Sequence, residues 1–212
     1  MERYITMRPG AQATGEVIDR KSRFIAHLVH VETPEEASAH QASLRAVHFD
    51  ARHHVPAWIL ADGSERASDD GEPQRTSGMP TLEVLRGAEV RDVCCVTVRY
   101  FGGTLLGPGG LVRAYTAAAQ RALENARAAQ VLVEMTSVVP VDIRVEYARF
   151  DQVSRMVADA GGVLAATEFT DEVCLRTLFR AGDQDAFCVR LRELMAGRER
   201  IEVAPARFAE FG

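Results

Sequence analysis

The stretch RYFGGTLLGPGGLVRAY, Arg99–Tyr115, decides the reading of this chain, because an apolar strand runs through two glycine pairs directly into a helix. Upstream, VCCVTVRYF at Val93–Phe101 is β-branched and aromatic enough to be a buried strand. Downstream, Leu111, Tyr115, Ala118, Ala122 and Ala126 recur at helical spacing. Between them stand Gly102, Gly103, Gly107, Gly109 and Gly110. Glycine admits positive φ and close approach, and the free N–H groups of a helix start favour a phosphate or carboxylate. Two readings follow: a backbone anion site, or a loop whose glycines only shape a tight turn.

Neither common nucleotide fingerprint fits. A Walker loop needs Lys and then Ser or Thr after its last glycine, whereas Gly107 is followed by Pro108 and Gly109. A dinucleotide loop counted from Gly107 would need glycine where Val112 stands. Arg99 and Arg113 are the charges of the run, one at the strand end and one a turn into the helix. Their guanidinium forks suit an oxyanion held from two sides, and equally suit a solvated arginine or a structural ion pair.

At 212 residues the chain has material for two domains, and 47% apolar with 26% charged residues is the balance of a globular protein. No apolar run reaches the roughly 18 residues of a membrane span, and MERYITMRPG lacks the apolar stretch of a signal peptide, so the expected location is cytoplasmic, without membrane contact. Cys94 and Cys95 are neighbours on a strand and face opposite ways; with Cys174 and Cys188 they show no metal-ligand spacing and read as small apolar residues. A net charge of −5 argues against coating nucleic acid by bulk electrostatics, though a local basic patch remains open. Lys21 is the single lysine, so any lysine chemistry must use it.

Ala13–Arg20 and Ser22–Val31 read as a hairpin with Phe24, Ala26 and Leu28 on one face. Thr33, Pro34 and Glu36 supply a cap, a first-turn proline and a capping-box carboxylate for a helix whose inner stripe is Ala37, His40, Leu44 and Val47. A third strand spans Val55–Ala61, followed by a long polar segment, Asp62–Gly78, and a short helix from Pro80 to about Gly87. The second half alternates at Val139, Val141, Ile143 and Val145, then gives a helical stripe at Phe150, Val153, Val157 and Ala160. A hairpin turning at Thr170 and Asp171, a helix with Phe187, Leu191 and Leu194 capped by Asp183, and a last strand Arg200–Ala206 complete the order βαββαβ, the ferredoxin-like pattern. The boundary places one domain at 1–132 and the other at 133–212.

Two polar clusters are candidates for chemistry. SDDGEP at Ser68–Pro73 sets Asp69, Asp70 and Glu72 within four residues, enough for a magnesium-type cation or a general base, or for an Asx-turn with solvated neighbours. His48, Asp50, His53 and His54, just before the third strand, carry metal-binding side chains, but adjacent His53 and His54 point apart if that strand has already begun, and no metal or cofactor is expected.

KSRF at Lys21–Phe24, with Arg23 inside it, DARHH at Asp50–His54, SDDGEP and the Arg99–Tyr115 run occur in order along almost the whole chain and resemble the signature blocks of the Impact family, in particular its short bacterial YigZ-like members. The resemblance implies an α+β protein of two domains. The first would have the fold of GHMP kinases and of a ribosomal-protein domain, with a left-handed βαβ crossover; the second would resemble the last domain of elongation factor G. Where that family usually reads Gly-Thr-Ala-Gly, this chain has Arg75, Thr76, Ser77 and Gly78, and Val55 and Pro56 follow its paired histidines. Larger eukaryotic Impact proteins regulate translation by competing for a kinase-activating partner through an additional domain. The resemblance therefore implies a regulatory binding protein linked to translation through ribosome, RNA or protein-partner binding, leaning away from an enzyme. The alternative is an enzyme or binder for a phosphorylated or anionic small molecule at a cleft between the acidic and glycine loops, and a third reading makes these loops a self-association interface.

Overall fold

A computed structural model describes residues 3–211. They divide into two compact units, Tyr4–Val133 and the remainder from Glu134.

In chain order the first unit begins with β1 (Arg3–Met7), β2 (Gln12–Asp19), β3 (Ser22–His30), α1 (Pro34–Val47), β4 (His53–Ile59) and β5 (Glu65–Ala67), and continues with α2 (Gly78–Gly87), β6 (Val93–Tyr100) and α3 (Gly107–Ala128). The sheet order is β2-β3-β6-β4-β5, and every neighbouring pair is antiparallel. Asp19 pairs with Ser22, and Arg20 and Lys21 at the tip have φ of 44° and 67°, the two positive angles of a hairpin turn whose twist matches its strands. Alternation along the strands loads both faces. Phe24, Ala26, Leu28, Val55, Ala57 and Cys95 pack with the buried stripe of α3, while Val29, Cys94, Val96 and Val98 pack with Ala37 and Leu44 of α1. Cys94 and Cys95 therefore fall into different cores, both fully buried, and burial raises the Cys95 thiol pKa to about 12.

Several local expectations are corrected. β4 starts at His53, two residues before Val55, because the ladder opposite Arg99 extends that far. The polar segment after it contains the short strand β5. In α1, Thr33 accepts from Glu36 N as expected, but Glu36 accepts from the Glu32 N–H, and Val47 is 68% exposed because no residue after Leu44 is buried.

The second unit is carried by β7 (Leu132–Val145), a 3-10 turn at Tyr147–Arg149, α4 (Phe150–Asp159), β8 (Val163–Phe169), β9 (Val173–Arg180), α5 (Asp183–Leu194), β10 (Arg200–Val203) and β11 (Arg207–Glu210). Pairings run β8-β9-β7-β10, so the four strands of the βαββαβ unit lie in the ferredoxin-like order 2-3-1-4. Val141, Ile143, Val145, Val153, Val157, Phe179, Phe187 and Leu191 form its core. The expected strand Arg200–Ala206 is shorter, because Pro205 has no N–H to give a ladder and β10 ends at Val203; a separate strand, β11, follows from Arg207 beside the earlier part of β7. Asp183 is the first residue of α5, not its cap; Gly182, at φ 104°, occupies the cap and gives its N–H to Gln184 Oε1 at 2.7 Å.

Candidate functional site

On the α3 side of the first sheet, register places Phe24, Arg99 and His53 in one row across β3, β6 and β4. Arg99 is 5% exposed, and its guanidinium lies 5.2 Å from the Phe24 ring centroid and 5.6 Å from that of Phe101. A buried charge needs a partner. Glu72 supplies it from the acidic loop: Arg99 Nη1 donates to its Oε1 at 2.7 Å and Oε2 at 2.9 Å. The Tyr115 hydroxyl of α3 donates to Glu72 Oε1 at 2.8 Å, and burial together with the Glu72 charge pushes the phenol pKa far up, so it stays a donor. His53 Nδ1 donates to the Asp70 carbonyl at 2.8 Å, which leaves Nε2 facing Glu72 Oε1 at 3.9 Å. The acidic and glycine loops thus meet at one cavity of about 420 Å³, lined by Arg52, His53, Glu72 and Arg99 and by Phe101, Leu105, Leu106, Gly107, Pro108 and Leu111; Gly109 and Gly110 lie outside its lining.

The three acidic-loop carboxylates do not converge. Asp69 caps α2: Oδ1 accepts from Ser77 N (3.1 Å), Ser77 Oγ (2.8 Å) and Gly78 N (2.9 Å), and Oδ2 from Arg75 N (2.7 Å). Burial pushes its pKa up, but the donors of Gly78, Arg75 and Ser77 together outweigh it and hold the carboxyl below its ordinary value. Asp70, at φ 45°, pairs with Arg45 and accepts the His54 N–H at 2.6 Å, tying the loop to α1 and β4. Only Glu72 faces the cavity. The histidines separate as alternation requires: His54 is 2% exposed on the α1 face, while His48 Nδ1 meets the Tyr100 hydroxyl at 2.8 Å and that hydroxyl donates to Asp50 at 3.3 Å. Among the described residues no group of three His, Cys, Asp or Glu side chains is placed to hold a metal ion.

The glycine loop serves two purposes. Gly102 lies against the hairpin tip: a Cβ there would stand 2.1 Å from Lys21 C and 2.2 Å from Ser22 N, and its N–H donates to Ser22 Oγ at 3.1 Å. Lys21 is exposed at that tip, and Arg23 pairs with Glu16 at 2.6 Å; neither lines the cavity. Gly103 turns the chain at φ 83°, and Gly107, Gly109 and Gly110 open α3, whose start carries no side-chain cap. Arg113 is exposed on the first turns of α3, near Gly109 and Gly110, and lies outside the cavity lining. Of the readings of Arg99, the structural ion pair is the one seen, since its guanidinium is committed to Glu72.

The first unit carries a match to the Impact N-terminal domain over residues 20–123, and the second to a domain of unknown function (DUF1949) over residues 143–198. The chain is similar to the IMPACT family member YigZ of Escherichia coli, 35% identical over 193 residues, covering 89% of this chain and 93% of the relative. The chain belongs to the IMPACT family. Another relative, the IMPACT family member YvyE of Bacillus subtilis, is 29% identical across 98% of this chain and 94% of its own length. The Protein IMPACT homolog of Saccharomyces cerevisiae is 35% identical over 47% of this chain and 40% of its own. A crystal structure described as that of a hypothetical protein superimposes with a TM-score of 0.62 at 32% identity, covering 97% of this chain and 98% of that one.

In this IMPACT-family protein three site features escaped the sequence. Tyr115 was legible only as a core-stripe residue, although a tyrosine in a stripe otherwise of alanine and leucine signals a hydroxyl that needs a partner. Arg52 and Leu105 carried no signal, since loops that converge only in three dimensions leave no spacing to read. Arg75 holds φ 62°, in the left-handed region that favours glycine, and its N–H donates to Asp69 Oδ2 at 2.7 Å.

Proposed function

We propose that this IMPACT-family protein is a regulatory binding protein linked to translation, engaging a ribosome, RNA or protein partner, and not an enzyme. One observation carries the reading: the carboxylates of the acidic loop are all committed within the fold. Glu72, which faces the cavity, is taken by Arg99 and Tyr115, Asp69 by the start of α2, and Asp70 by Arg45 and His54, so no activated nucleophile stands among them. The open side is apolar, with Phe101 at 47% and Leu105 at 81% exposure, which suits a partner's side chain. Family membership supports the same reading. The test is co-sedimentation of the full chain with ribosomes at moderate salt. Wild type should pellet with them, and Leu105→Ser, an exposed position, should release it with Tm unchanged; absence of wild type from the pellet and from captured translation complexes would refute the reading.

A second reading, a small anionic ligand in the same cavity, is favoured by Arg52, His53 and the uncapped start of α3 lining one space. A thermal-shift screen with inorganic phosphate, nucleotides and phosphorylated metabolites tests it. A rise in Tm that Arg52→Ala abolishes supports it, and no rise with any of them rules it out.

A further inference from the structure

The second unit carries its own concentration of positive charge. Register pairs Arg144 of β7 with Arg200 of β10, Val145 with Val173 of β9, and Val173 with Phe169 of β8, so these residues share one end of the sheet. At that end Arg144, Arg149, Arg198 and Arg200 surround a concavity of about 300 Å³ together with Glu146 and Glu172. Glu172 is shared between Arg200 at 2.5 Å and Arg144 at 3.9 Å. Four guanidinium groups face two carboxylates, and Arg149 and Arg198 have no carboxylate partner among the described residues. The charge is surplus to the fold.

Aromatic rings leave the same end. Tyr147 follows β7 and Phe169 ends β8; their rings stack with centroids 6.2 Å apart and planes 30° apart, although the residues are 54% and 59% exposed. Phe150 supports Phe169 edge-on at 5.5 Å, and the Tyr147 hydroxyl donates to the Thr170 carbonyl at 2.5 Å. Large rings fixed in orientation yet left in water, at the same end as arginines without carboxylate partners, match the two parts of a single-strand site: a charged track for phosphates and a platform for bases.

We propose that this end of the second unit binds unpaired nucleic acid, with Arg149 and Arg198 on phosphate oxygens and the Tyr147 and Phe169 rings stacking on a base. A duplex keeps its base faces buried in its own stack and offers only phosphates. The proposal deepens the translation reading and rests on it for the choice of RNA over DNA; the site itself rests on the arginines and the rings.

Fluorescence anisotropy of the full chain tests it, using labelled RNA and DNA strands of about a dozen nucleotides, a duplex of the same sequence, and inorganic polyphosphate as competitor. Wild type should prefer single strands to duplex and RNA to DNA. Tyr147→Ala and Phe169→Ala should each weaken binding about tenfold, and Tyr147→Phe should retain it. Arg149→Ala with Arg198→Ala should lower the slope of log affinity against log salt by about 1.4, two phosphate contacts' worth. Tyr147, Phe169 and Arg198 are exposed and Arg149 is half-buried, and an unchanged Tm confirms that the variants fold. No binding of either strand, equal binding of duplex, or competition by polyphosphate with no effect of the ring variants would overturn the site. If strands fail to bind while wild type still pellets with ribosomes, this inference falls and the proposed function stands. Strand binding without ribosome pelleting keeps the site and removes that function.

Discussion

Replacing Arg99 by methionine should be among the most damaging single changes in the first unit. The side chain is 7% exposed and that of its Glu72 partner 3%, so little water reaches either charge. Methionine keeps most of the volume and the apolar contact with Phe24, but it leaves a buried carboxylate with the Tyr115 hydroxyl as its remaining hydrogen-bond donor. Two charges about 4 Å apart attract by about 4 kcal/mol at an effective dielectric near 20, and breaking one side of a buried pair typically costs about 3–5 kcal/mol. With a urea slope of about 2 kcal/mol per molar, the midpoint should fall by roughly 2 M. Trp58, the single tryptophan, lies half-buried on β4, so its fluorescence reports unfolding of this unit. Glu72→Gln in the Arg99→Met background should restore about 1–3 kcal/mol, because the amide removes the stranded charge. A midpoint shift below about 0.5 M for Arg99→Met, or strict additivity in the double variant, would refute a buried, mutually dependent pair.

Arg75→Gly should raise stability by up to about 1 kcal/mol, since a non-glycine residue at φ 62° carries a penalty of about 1–2 kcal/mol that exceeds glycine's extra chain entropy; a fall in Tm would contradict this. Gly15→Ala should cost at least about 1–3 kcal/mol, because its Cβ would stand 2.2 Å from Ala122 N and 2.5 Å from Ala118 O, both backbone atoms of α3. Gly87→Ala, with nothing within 4 Å of the added carbon, should be tolerated, and equal urea midpoints for the two variants would defeat the close-packing argument. Burial, then the charges of His48, His40 and His54, lower the His27 pKa to about 4. Its folded-state pKa lies below the unfolded value near 6.5, so the unfolded chain binds the extra proton and stability falls as pH drops from about 6.5 to 4. Between pH 7 and 5 the wild type should lose on the order of 1 kcal/mol, a figure discounted for the partly exposed ring, and His27→Gln should lose less; parallel pH profiles would show that other groups set the slope.

Much of the fold was legible because its signals are local. The period of α3, the Thr33 cap and the opposite facing of Cys94 and Cys95 depend on residues a few positions apart, and each stands in the structure as read. The βαββαβ order is equally readable, since each element declares itself by its own hydrophobic spacing. Errors arose where a distant partner overrules local pattern. β4 extends to His53 because β6 pairs with it, and the last strand reads as one although β10 and β11 pair with two separate stretches of β7.

The candidate site divides in the same way. Sequence alone determined which residues are polar within the acidic loop and that the Arg99–Tyr115 run joins a strand to a helix. Tertiary structure decided that Asp69 caps a helix, that Asp70 pins the loop to α1, and that Glu72 goes inward to Arg99 and Tyr115. Neighbouring carboxylates look alike along a chain, and they differ only in the donor that folding delivers to each: Arg99 lies 27 positions from Glu72 and Tyr115 lies 43 positions away. Burial makes that delivery decisive, because a charge removed from water must find its partner wherever the fold has carried it.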